Sequence, residues 1–183
     1  MSKFENVYQP AKLVTGDGLR YFFVSQGERE IIKAIEYSYV KVFNGRSLFN
    51  MGFGDYNFIT GTVSDEEISN NRDHYKVFHT VLNTVPTLFD TYGDVMMMVQ
   101  GSDSKPEFIA KCKVTCGKKC GEGSCKNANR RISIYRGYVD KNYDELSKDF
   151  DFLGGEGVED HNIIEPYEKG KTYNAVFLIK KNL

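Results

Sequence analysis

Between residues 76 and 100 an amphipathic stripe is followed, after only two residues, by a run of five apolar side chains. Val77, Phe78, Val81, Leu82, Val85, Leu88, Phe89 and Tyr92 recur at spacings of three and four. That spacing places them along one side of a helix about four turns long. Gly93 stands where such a helix should end, and residues 95–99 are apolar at every position. A strand with no polar face has to be covered on both sides. One helix running into one central strand therefore sets the frame, and the class it points to is α+β. Pro86 interrupts the stripe and cannot donate to the carbonyl of Leu82, so a kink is expected there.

The rest of the chain is read around that pair. Residues 1–16 read as a loosely tethered arm, and residues 17–183 as a single domain. Residues 19–25 and 31–43 are rich in aromatic and branched side chains and form an antiparallel hairpin about the turn Gln26-Gly27-Glu28. A third strand covers 47–53 and Phe58-Ile59 a short fourth one, while the polar stretch 62–71 reads as a loop. Phe108, Ala110, Cys112 and Val114 alternate with Ile109, Lys111, Lys113 and Thr115, the pattern of a half-exposed strand. Helix is expected over 127–139 and again over 142–150, then strands at 151–153 and 172–181. The sum is an α+β domain with a mixed or antiparallel sheet, two main helices and a knob inserted at about 103–129.

Composition bounds the function. With 24 basic and 25 acidic residues the net charge is −1, which argues against broad nucleic-acid or anionic-membrane binding. The first fifteen residues have no apolar core of a signal peptide, and the longest apolar run is far short of a membrane span. A cytoplasmic location is the default, in a bacterial or phage-infected cell, with a virion as the other setting. Nucleic acid and membrane are not expected partners.

Four cysteines, Cys112, Cys116, Cys120 and Cys125, fall within fourteen residues in a knob of glycines and lysines. Thiolates at such spacing can hold zinc, with lysines offsetting the charge of the ligands. The spacing is irregular, so disulfides and plain thiols remain open beside it. Asn70, Asn71, Asp73 and His74 form a polar cluster at the start of the long helix. Such groups can orient an anion there, yet Asn and Asp are also the residues that cap helices, and capping is preferred. His79 reads as a hydrogen-bonded histidine at the core's edge and His161 as a solvated loop residue. Asp55 is expected to pair with Arg131 or Arg136, fixing the sheet to the second helix; alternatively Arg131, Tyr135 and Arg136 face a small anion. Lys118, Lys119, Lys126, Arg130 and Arg131 make a basic patch without the aromatic ladder of a single-strand binder.

The string Phe49-Asn50-Met51-Gly52-Phe53-Gly54-Asp55, then Ile68-Ser69-Asn70-Asn71 with Asp73, then Lys76-Val77, Thr80-Val81, Thr84-Val85 and Phe89 carries a resemblance. With Gly101-Ser102, Arg131, Tyr135 and Arg136 it is similar to an uncharacterised bacterial domain family met in short proteins and near mobile elements. The likeness runs over 19–181, and the cysteine-bearing stretch is this chain's own addition. The order of elements also resembles the acetyl-CoA-dependent N-acetyltransferase fold, with Asn129, Ile132 and Tyr135 on its later helix. That fold binds pyrophosphate on a glycine-containing turn before the long helix, and here no glycine stands between Gly61 and Gly93.

No nucleophile–base pair, phosphate loop or metal-hydrolase spacing is readable. The expectation is a non-enzymatic binding or assembly protein acting through protein contacts, with a protein partner or its own copies, of phage or mobile-element origin. An acyl-CoA-dependent N-acyltransferase is the runner-up, and a zinc module touching nucleic acid the third reading.

Overall fold

Alternating branched and aromatic residues build an antiparallel meander at the start of the chain. The computed structural model describes residues 5–64, 71–104, 106–115, 118, 120, 125–155 and 164–181. In it β1 is Ala11–Thr15, β2 Gly18–Ser25, β3 Ile31–Phe43, β4 Arg46–Asn57 and β5 Thr62–Ser64. Helix α1, His74–Tyr92, leads into β6, Val95–Gln100, and a 3-10 turn at Ser102–Ser104 precedes α2, Pro106–Thr115. Helix α3 is Arg130–Asp149, followed by β7, Phe150–Gly155, β8, Glu165–Pro166, and β9, Ala175–Lys180. The class is α+β, with a mostly mixed sheet and three α-helices among the described residues. The chain forms two compact units, Met1–Met96 and Met97–Leu183. No helix among the described residues is long and apolar enough to cross a membrane.

In the first unit β1, β2, β3 and β4 pair antiparallel in chain order, and β5 pairs with β4. Asn44 (φ 49) and Gly45 (φ 78) join β3 to β4; both adopt the left-handed backbone that a two-residue hairpin needs. Register sets Tyr37 between Leu19 and Met51, Ile35 between Tyr21 and Phe53, and Lys33 between Phe23 and Asp55. Those residues share one face, because side chains alternate along a strand. Helix α1 lies on that face: the hydroxyls of Tyr37 and Thr84 are 2.8 Å apart, and Tyr92 stacks on Phe49 at 4.7 Å. Val81, Val85, Leu88 and Phe89 are buried along it, each worth about 1.5–3 kcal/mol of apolar burial.

Several expectations change here. The supposed arm is tied down, since Ala11–Thr15 is a strand on β2. Phe58 and Ile59 sit in the turn after β4 instead of forming a strand, and the short strand is Thr62–Ser64. Pro86 lies inside helix α1, which runs from His74 to Tyr92.

In the second unit the strand order is β6-β9-β7-β8, with β7 antiparallel to both β8 and β9. Ile132, Val139 and Leu146, spaced by seven, are the buried residues of α3, while Tyr143 stacks on Tyr167 at 5.9 Å. The two helical pieces expected at 127–139 and 142–150 are one helix. The half-exposed strand expected around Phe108 is helix α2. Pro106 at its first position and Glu107 in its first turn are helix-start signals, and Val114 at 86% exposure shows that the alternation marks no buried face. His79 is half-buried on α1, and His161 lies outside the described residues.

Candidate functional site

Four places bring together the polar or reactive side chains singled out above. The first is the start of α1. Asn71 is buried; its Nδ2 donates to Ser25 Oγ at 2.9 Å and to the Arg29 carbonyl at 2.8 Å, while its Oδ1 accepts from Arg29 N at 3.2 Å. A Cβ on Gly27 would come within 2.7 Å of the Asn71 side chain, so this close approach requires glycine. Asp73 occupies the N-cap position but makes no side-chain capping bond. Its Oδ2 instead accepts from Tyr8 Oη at 2.8 Å and Ser25 Oγ at 2.7 Å. The capping role expected of it is corrected to a clamp, because two hydroxyls from distant parts of the chain, one before β1 and one at the end of β2, reach it first.

Tyr8 completes the clamp and was not singled out by the sequence. Its backbone N–H donates to Thr80 Oγ1 at 2.9 Å, and its hydroxyl accepts from Gln26 N at 3.1 Å. Its ring stacks on Phe23 at 5.3 Å beneath the Lys76 ammonium, 3.9 Å from the ring centre. Burial pushes the Tyr8 hydroxyl above its ordinary value. Asn70 falls outside the described residues. Among those described, the approach to the α1 N-terminus carries the Asp73 carboxylate, which repels an anion.

The second place is Asp55. Its partner is not an arginine of α3 but Lys33, directly opposite on β3. Both side chains are nearly buried, and Lys33 also lies 5.9 Å from the centre of the Phe53 ring. Strand register decided the pairing, because cross-strand neighbours are brought within reach whatever the rest of the chain does.

The third is the start of α3. Asp103 is 4% exposed, and its Oδ2 accepts from the backbone N–H of Arg131 at 3.1 Å while its carbonyl accepts from Asn129 N at 3.3 Å. Asn129 itself is left-handed (φ 60) and makes no side-chain cap, so a residue from the 3-10 turn caps this helix. Arg131 donates to Ser102 Oγ at 2.7 Å and Arg136 to the Tyr173 carbonyl at 3.3 Å. Five positions apart, the two arginines point roughly 140° away from each other around α3. They do not converge on one anion. Burial pushes the Tyr135 hydroxyl up to about 12, so it stays protonated near neutrality. Arg136 belongs with a tyrosine cluster in which Tyr167 Oη donates to Asp140 Oδ1 at 2.8 Å.

The fourth is the cysteine knob. Cys112 Sγ, on α2, accepts from Asn127 Nδ2 at 3.3 Å, and Cys120 Sγ from Lys126 N at 3.4 Å. The backbone N–H of Ala128 donates to the Cys125 carbonyl at 3.0 Å. The neighbouring Asn127 backbone, the largest influence, holds the Cys125 thiol below its ordinary pKa. Cys116 lies outside the described residues.

On the surface, the first unit exposes a cluster on the side of its sheet away from α1. Phe22 meets Tyr56 edge-on at 4.8 Å and Phe58 at 6.4 Å, and Tyr56 meets Phe58 at 4.8 Å. Phe58 is 67% exposed and Ile59 is 96% exposed. Their adjacency in sequence suggests a strand, and only the turn that holds them after β4 makes them a surface.

The model of a family described as a family of unknown function (DUF6934) matches residues 5–107. The match takes in the N-terminal segment with Tyr8 and the α1 clamp, and it ends two residues into α2, before the first cysteine. No curated protein and no solved structure matches the chain.

Proposed function

Since the chain belongs to this family of unknown function, DUF6934, we propose from its own surface that it is a non-enzymatic binding and assembly protein. Its contact face is the cluster of Phe22, Tyr56 and Phe58 with Ile59, and its first occupant is a second copy of the chain. The exposure of Phe58 and Ile59 carries this reading. Two large apolar side chains held together in water mark an interaction surface more often than an idle one, and covering them contributes about 1.5–3 kcal/mol each. A net charge of −1 leaves little repulsion between copies. The polar cluster at α1 supports the same conclusion from the other side, because its groups are occupied with one another.

The test is the mass of the full chain in solution by light scattering over a range of concentrations. Self-association that disappears in a Phe58→Ser, Ile59→Ser double variant is expected. A wild-type chain that remains monomeric throughout that range would overturn self-assembly.

A second reading, an acyl-CoA-dependent N-acyltransferase, draws support from the order of elements along the chain: β1 to β5, then α1, β6, α2, α3 and the closing strands. Against it stand Asp73 and Asn71 at the helix start, which place a carboxylate and a packed amide where bare N–H groups would be needed. Acetyl-CoA is expected to leave the melting temperature unchanged. A saturable rise with cofactor concentration would favour the enzyme.

A further inference from the structure

Gly18, Gly52 and Gly54 sit in strands of the first unit, and two of them are required by their own chain. A Cβ at Gly18 would collide with the Tyr37 carbonyl, and one at Gly54 with the Ser64 carbonyl. Gly52 differs. It lies inside β4, its φ is outside the left-handed region, and a Cβ there would meet no atom of the described residues within 4 Å. Glycine weakens the interior of a strand. Where neither its own backbone nor its neighbours demand it, it marks close approach by something from outside.

Register places Gly52 beside Glu36 and, one strand further, Arg20, on the face that carries Phe22 and Tyr56. Arg20 Nε lies 2.5 Å from Glu36 Oε1, so an apolar group arriving over Gly52 meets a matched ion pair. The same face carries the group that would fill the space. Ile59 is 96% exposed, and the turn beneath it is braced. Asn57 Oδ1 accepts from Ile59 N at 2.8 Å and Thr60 N at 3.2 Å. Gly61 N donates to the Asn57 carbonyl at 2.8 Å, and the hydroxyls of Thr60 and Thr62 are 2.7 Å apart. A side chain presented on a braced turn gives up little freedom when it is covered.

Ile59 cannot reach Gly52 of its own chain, because the strand from Gly52 to Asn57 alone extends about 17 Å. A second copy related by a two-fold axis near Phe22 and Tyr56 can. We propose that Ile59 of each copy seats over Gly52 of the other, a knob in a hole repeated twice across that axis. The inference rests on the self-assembly reading and adds its geometry. The interface is isologous, so it closes at a dimer and does not grow into a filament.

The test follows the mass of the full chain by light scattering for two complementary variants, alone and mixed. Gly52→Val fills the hole. A branched side chain suits a strand, so at a dilution where both are monomeric its melting temperature should not fall below that of the wild type. Its dimer dissociation constant should rise by about tenfold or more, the effect of overpacking two symmetric contacts. Ile59→Ala removes the knob and should weaken the dimer as well. An equal mixture of the two variants has a native fit at one contact and a swapped fit at the other, so it should dimerise more tightly than either variant alone. If Gly52→Val fails to fold, Gly52→Ala replaces it, with a smaller loss in the same direction. Gly52 variants that dimerise as tightly as the wild type would overturn the pairing and leave self-assembly standing, and so would a mixture no tighter than its components. A wild-type chain that stays monomeric would overturn both.

Discussion

Asn71 spends all of its side-chain hydrogen bonds inside the protein, on Ser25 and Arg29. Asn71→Ala strips these bonds from buried Ser25 and from the Arg29 backbone, so a loss of about 1–3 kcal/mol is expected in urea unfolding; a change under 0.5 kcal/mol would refute the clamp. Lys33→Met strands the Asp55 carboxylate, and about 3 kcal/mol should be lost. Adding Asp55→Leu should return most of it, because the pair's desolvation cost disappears with both charges. Tyr167 makes a pH-dependent prediction. Burial, reinforced by the hydroxyl's bond to Asp140, raises its pKa in the folded state. A raised folded value means that the stabilisation is complete below the unfolded value of about 10 and is lost as pH climbs through the higher folded one. Tyr167→Phe should cost about 1.5 kcal/mol near neutrality and make the alkaline decline in stability shallower. An unchanged slope above pH 10 would contradict the assignment. None of these partnerships could be read from residue types alone: Asp73 looked like a cap, and Asp55 looked like the mate of an arginine.

At the scale of elements, α2 is the sharpest case. Its ten residues satisfy a two-residue alternation and a helical start at once, and only the helix is realised. Ala110 is exposed on it, so Ala110→Gly should destabilise the segment by about 1 kcal/mol. Ala110→Val should cost a few tenths to half as much, where a strand would gain from a branched residue. Amide exchange over 106–115 reads both. Helix α1 and β6 were legible because their evidence is local. Nineteen residues with one apolar stripe, then five consecutive apolar strand residues, leave few alternatives. The arm was misread for the opposite reason: β1 is exposed along almost its whole length and has no hydrophobic alternation to announce it. It is a strand because β2 offers it an edge, and Tyr8 holds the chain before it against α1.

At the scale of the whole molecule, the proposed contact face can be removed without removing the fold. Phe58 and Ile59 are largely exposed, so the double serine variant should cost no more than the ring contacts of Phe58, about 1.5 kcal/mol, while abolishing self-association. A large drop in melting temperature would show that these side chains support the fold instead. The amino-acid order by itself determined the α+β class, the long hairpin, and the helix that runs into a fully apolar strand, since periodicity and length are properties of neighbouring residues. Only the tertiary structure decided that Asp73 is a clamp, that Asp55 belongs to Lys33, and that Asp103 caps α3 from outside the helix. Each of those depends on strand register or on chain return over tens of residues, and hydrogen bonds and ion pairs form only between groups that the packed backbone brings within about 3 Å.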